Sequence, residues 1–157
     1  MTDINKEDLK GKTILSIDMG VGTITDIEKI REDGDYFYVI DYGKTNTKYY
    51  SAIDENKKTR FVTTKDAFDS CLKDLKTKKE KATFASKKER QDYFKSIFSS
   101  CSLDMIVSKV LQISSIKDLV PNEKEILKKL INNLELEASL IYKLNSTESS
   151  HFIAKYL

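Results

Sequence analysis

The sequence predicts an α+β protein, with an N-terminal antiparallel β-unit followed by a small C-terminal helical bundle. Three observations lead there. Short β-prone runs separated by glycine-containing turns fill the first part of the chain, whereas apolar residues recur at helical spacing in the rest. The 157 residues are 39% hydrophobic and 33% charged, enough for one respectable core or two small ones. The change of period favours two.

The runs 13–17 and 21–27 are rich in β-branched residues and flank a tight corner carrying Gly20 and Gly22. Glycine there opens backbone angles that are closed to other residues. As a phosphate-binding signal Gly-x-Gly is weak, because a phosphate loop needs a third glycine opening a helix and 23–27 reads as a strand. Glu32-Asp33-Gly34-Asp35 supplies a hairpin turn, since Asp-Gly tolerates positive φ. In the strand 36–42, Tyr36, Tyr38, Ile40 and Tyr42 share one face and Phe37 and Val39 the other. Apolar or aromatic character on both faces predicts a central position. Gly43-Lys44-Thr45-Asn46 turns the chain into a strand at 47–53, and Arg60-Phe61-Val62 forms a short last strand.

Thr63-Thr64-Lys65-Asp66 has the capping-box arrangement, a hydroxyl followed three residues later by an acid, and Ala67, Phe68, Cys71, Leu72 and Leu75 then recur at helical spacing. The helix closes the β-unit, and its stripe is expected to pack on the sheet. Residues 76–81 contain nothing apolar and read as an exposed connection or frayed helix end, which divides the chain into 1–75, a basic linker at 76–82, and 83–157. Beyond it, Tyr93, Phe94, Ile97 and Phe98 mark one amphipathic helix, and Leu103, Ile106, Val107, Val110 and Ile113 a second capped by Ser102. A third begins near Pro121 and carries Leu127, Leu130, Ile131, Leu134, Ala138 and Ile141 on one stripe. Residues 145–150 break the pattern, leaving 151–157 as a tail that docks on the bundle or frays.

Net charge is only +2, but residues 76–95 hold eight basic and three acidic side chains. Such a zone suits phosphates or an acidic protein surface as well as a solvated face. Cys71 and Cys101, each within a helical pattern, belong to no CxxC pair or Cys/His cluster and read as small core residues of a cytoplasmic protein. The only histidine is His151, and no acidic grouping has metal-ligand spacing, so no catalytic residue, metal or cofactor is expected. The polar start, Met1 to Asp8, does not suit a secretory signal, and no apolar run is long enough to span a bilayer.

The segment from Thr83 to Phe94 is the strongest functional candidate outside the β-unit, because Phe84 stands just ahead of Lys87, Lys88 and Arg90 at the start of a helix. An apolar wedge beside cations suits minor-groove binding, with the cations on phosphates and the ring at an opened base step. The alternative is that Phe84 staples the helix start to the bundle.

The order of motifs resembles the CarD/CdnL family of bacterial RNA polymerase-binding transcription regulators. The resemblance rests on Gly11-x-Thr13-Ile14-Leu15, the corner Gly20-Val21-Gly22-x-Ile24-x-x-Ile27-Glu28, Phe37-Tyr38-Val39-Ile40-x-Tyr42, and Arg60-x-Val62 followed by Lys65-Asp66-Ala67-Phe68. It continues to Leu119-x-Pro121-Asn122-Glu123-Lys124 near the last helix. It implies a Tudor-like domain that docks on the RNA polymerase β subunit, and a helical domain that touches promoter DNA at the upstream edge of the bubble. The implied polymerase contacts are Lys48 or Tyr49 on one strand and Arg31 near its neighbour; Phe84, Lys87, Lys88 and Arg90 are the implied DNA contacts. Ile17, Asp18 and Met19 replace the family's usual Pro-x-His, Ser51 replaces a proline, Leu111 lies where a basic residue is common, and the chain lacks the tryptophan often used as the DNA wedge.

The resulting expectation is a monomeric, non-enzymatic, cytoplasmic transcription regulator that stabilises the open complex with weak, non-sequence-specific DNA contact. A protein-docking adaptor without DNA contact is the alternative. An enzyme using Cys71 or Cys101 is a third reading.

Overall fold

The computed structural model describes residues 6–43, 47–52 and 59–157. A short helix α1 (Lys6–Leu9) precedes β1 (Thr13–Ser16), β2 (Gly20–Lys29), β3 (Tyr36–Asp41), β4 (Tyr49–Ala52) and β5 (Thr59–Phe61). The helices α2 (Lys65–Thr77), α3 (Lys87–Lys95), α4 (Leu103–Ser114), α5 (Pro121–Tyr142) and α6 (Ser146–Ala154) follow, completing an α+β fold. The strands make one antiparallel sheet of order β4-β3-β2-β1-β5, curled into a half barrel. β3 is an interior strand, although β2 occupies the centre. The turn expected at Lys44 to Asn46, the strand end at Ile53 and the polar start at 1–5 lie outside the described residues.

The two glycines of the corner act differently. Gly20 has φ +83°, a left-handed conformation costly for any side chain. Gly22 has no such angle; a Cβ there would stand 2.7 Å from Ile40 and from the Tyr42 ring, so glycine serves close packing of β2 on β3. Gly34 also lacks a positive φ, contrary to the Asp-Gly expectation. Its N–H closes a turn onto the Arg31 carbonyl at 3.0 Å, so the tight turn runs one residue earlier.

Alternation sorts the sheet's faces. Ile14, Ile24, Ile27, Tyr38 and Ile40 form the core of the concave side, with Tyr36, Tyr42 and Tyr49 packed against it. On the other face, Leu15 pairs with Arg60 and Val39 with Tyr50. Directly opposed residues share a face.

The apolar stripe of α2 does not pack on the sheet. Phe68, Leu72 and Leu75 join the core formed by α3 to α6, and α2 lies along α4. The boundary between the two cores therefore runs between β5 and α2, not after Leu75. Thr64, not Thr63, caps α2, accepting from the Ala67 N–H at 3.2 Å. Thr63 is drawn away because its hydroxyl and N–H both donate to Glu137. The connection 76–82 is also tied down. Lys78 Nζ lies 3.4 Å from Asp74, Glu80 accepts from Ser108 at 2.8 Å, and the Ala82 N–H donates to Ser115 at 3.2 Å.

Ser86 and Ser102 cap α3 and α4. α3 ends at Lys95, so Ile97 and Phe98 join the core from the following turn. Residues 145–150 start a helix rather than end one, because Asn145 and Glu148 form a reciprocal capping box and Ile153 is fully buried.

Gly22→Ala is expected to destabilise the protein by about 1–3 kcal/mol, since the added methyl overpacks the β2–β3 contact. Urea denaturation checks this; an unchanged midpoint would contradict the packing role.

Candidate functional site

α5 lies against β1 and β2. On the outer face of the sheet it covers the β1–β5 end, where Arg60 reaches Glu137 and Asn133 of the helix. Among the described residues, no helix packs closely on β3 or β4. A groove of about 460 Å³ runs there, lined by Thr25, Asp26, Glu28, Val39, Asp41 and Lys48 among others. Its floor is Val39, 1% exposed and part of neither core cluster. The Thr25 hydroxyl donates to the Val39 carbonyl at 3.2 Å, at a register shift between Ile24 and Asp26 that widens this part of β2. Tyr50, 46% exposed, borders the groove region and donates to Glu28 at 3.3 Å. Among the described residues, no strand pairs with the outer edge of β4.

The three residues expected to meet the polymerase are placed differently from one another. Lys48 is exposed and lines the groove. Arg31 is exposed in the β2–β3 turn. Tyr49 pairs with Ile40 and turns to the concave core, its ring 5.3 Å from Tyr42 in an edge-on contact. Tyr50 is the aromatic on the open face. Its signal was present in the alternation, since Tyr50 shares Val39's face and Tyr49 shares that of Ile40.

The basic segment divides as well. Lys87 and Lys88 are exposed in the first turn of α3. Arg90 is held within the protein: Nε donates to Glu123 at 2.9 Å, and Nη1 to Asp118 at 3.1 Å. Its Nη2 donates to Glu123 at 2.5 Å and to the Asp118 carbonyl at 3.2 Å. These bonds raise the guanidinium pKa further, and the arginine ties α3 to the start of α5. A phosphate would have to displace both carboxylates. Phe84 is half-buried with its ring 5.2 Å from Tyr93, the stapled arrangement rather than a free wedge. Tyr93 donates to Gln112 at 2.8 Å, and burial, reinforced by Glu80, pushes its phenol up to about 12.

The Cys71 thiol donates to Asp104 at 3.3 Å, and burial together with that carboxylate pushes it up to about 11. It is therefore a poor nucleophile near neutrality. Cys101 is buried in the helical core, in the segment before the Ser102 cap rather than inside a helix. His151 is exposed on α6. Among the described residues, no helix is long and apolar enough to cross a membrane.

A scan against protein-family models finds no match to this sequence, and a search of curated proteins finds none either.

Two outcomes follow from the titrating groups. The Arg90 hydrogen bond holds the Glu123 carboxyl below its ordinary 4.5, outweighing the opposing effect of burial. A depressed acid stabilises the fold above its unfolded pKa and loses that contribution as pH falls through the folded one. Urea midpoints measured from pH 7 down to the acid range should fall less steeply below about pH 4.5 in Arg90→Met than in the wild type. Cys71 should alkylate about a hundredfold more slowly at pH 8 than an unperturbed thiol of pKa 9, as its shift to about 11 requires. Iodoacetamide labelling of Cys101→Ala reads Cys71 alone.

Proposed function

We propose that this protein is a non-enzymatic transcription regulator. It docks on the RNA polymerase β subunit through the β3–β4 part of the sheet's outer face and stabilises the promoter open complex. The observation that carries the reading is the β3–β4 surface, on which no described helix packs, with Lys48 lining its groove, Tyr50 exposed at its border and the outer edge of β4 beside it. An extended partner segment on such an edge gains main-chain hydrogen bonds, while flanking side chains supply choice. The order of motifs that resembles the CarD/CdnL family supports the partner's identity, and the raised pKa of the Cys71 thiol supports a non-enzymatic role. A regulator of this kind works in the cytoplasm, held at the nucleoid through polymerase.

DNA contact in this reading falls to Lys87 and Lys88, because Arg90 is engaged by Glu123 and Asp118. Neutralising about two phosphates gives a log–log salt slope of only about −2, weak and independent of sequence. The seating of Phe84 on Tyr93 favours a second reading, a docking adaptor whose helical part never meets DNA.

The test uses the full chain and purified β subunit. Lys48→Glu should mainly slow association. Tyr50→Ala should weaken binding by about 1–2 kcal/mol through faster dissociation. Tyr49→Ala should instead lower fold stability, because that ring packs inward. No affinity of the folded wild type for the β subunit would discard the docking reading. Open-complex lifetime at matched polymerase occupancy then separates the two readings: a shorter lifetime in Lys87→Ala/Lys88→Ala keeps DNA contact, and an unchanged one leaves the adaptor.

A further inference from the structure

The seam between sheet and helices holds a charge network whose geometry does more than its apolar contacts can. Glu137 of α5 is 0% exposed and the Arg60 side chain 9% exposed. One carboxylate oxygen pairs with Arg60 Nη1, and the other accepts from the Thr63 hydroxyl and, at 3.3 Å, from the Thr63 N–H. Arg60 Nη2 donates to Asn133 Oδ1 at 2.8 Å, one helical turn before Glu137. The apolar part of the seam includes Leu15, fully buried on the same face as Arg60, Ile17, which follows β1 and enters the helical core, and the Gly20 backbone, which faces Leu136. The exposed Asp18 and Lys129 stand 3.8 Å apart at its rim.

Non-directional contacts do not by themselves fix how a sheet slides or rotates on α5. The network does. Arg60 on β5 and Thr63 beyond it must meet Asn133 and Glu137 together, and any other seating strands a buried carboxylate.

We propose that Arg60, Thr63, Asn133 and Glu137 form an orientation lock: they select the single seating of the sheet on α5 rather than adding net stability. The sheet's outer face and the helical surface then move as one body. Arg60 Nε, Arg60 Nη1 and Glu137 Oε2 are buried without a hydrogen-bond partner among the described residues, the last two facing each other as an ion pair, which fits that assignment, since a network optimised for stability would be fully satisfied.

The test compares full-length wild type, Glu137→Leu, the double variant Arg60→Met/Glu137→Leu, and Arg60→Lys. Residual dipolar couplings read orientation, fitted separately to sheet amides and helix amides, and urea midpoints read stability. In the wild type the two sets should share one alignment tensor. Glu137→Leu, which leaves Arg60 buried alone, should unfold at lower urea. The double variant should unfold at higher urea than Glu137→Leu, yet its two amide sets should no longer fit one tensor. A double variant that keeps the wild-type tensor would overturn the proposal, because apolar packing would then suffice to set the seating. If the double variant does not fold, Arg60→Lys decides: it keeps the charge and removes the fork. Separate tensors or doubled resonances along the seam would support the lock, and an unchanged shared tensor would overturn it.

Discussion

A carboxylate without exposed surface, Glu137, stands where β5 and α5 meet, and much of the architecture is arranged to make that position tolerable. Isolated, an ionised carboxylate in such a place would cost several kcal/mol even after its surroundings relax. Arg60 supplies the opposite charge, and Thr63 supplies two donors. Breaking a pair of this kind typically costs about 3–5 kcal/mol, against a total of about 5–15 kcal/mol for a small protein. The chain therefore has little freedom at the junction. Thr63 is committed to Glu137, which leaves Thr64 to cap α2 and sends that helix into the helical layer.

The same commitment determines what remains open. By holding β5 on α5, the network keeps the helix at the β1–β5 end of the outer face, and among the described residues no helix packs closely on β3 or β4.

The strands were legible because their signals are local. Alternation at 36–42 placed Ile40 and Val39 on opposite faces, and the β-branched runs located β1 and β2. Gly20 was legible as a backbone requirement, but Gly22 was not distinguishable from it, since its clash with Ile40 and Tyr42 involves another strand. The packing of α2 was illegible for the same reason: an apolar stripe states that a helix is covered, not by what. Glu137 left a trace. With Leu130, Leu134 and Ile141 it falls on one face of α5, and an acid among apolar stripe positions signals a buried partner elsewhere in the chain. Which cation answers it required the fold.

Charge counted along the sequence also overstates what the basic segment offers to an anion. Arg90 is neutralised by Asp118 and Glu123, and Lys78 stands beside Asp74. Lys87 and Lys88 remain exposed in the first turn of α3, where the helix dipole disfavours cations by about 0.3–1 kcal/mol each. A DNA term this small matters only if docking raises the local concentration of the helical part at the promoter. A flexible linker would spread that concentration over a large volume. Here residues 76–82 are tied to α4 and its C-cap through Glu80 and Ala82, and the sheet is tied to α5 through Glu137. Under the proposed function, the contribution of Lys87 and Lys88 is then set by one fixed geometry, all or nothing according to whether that geometry meets the duplex.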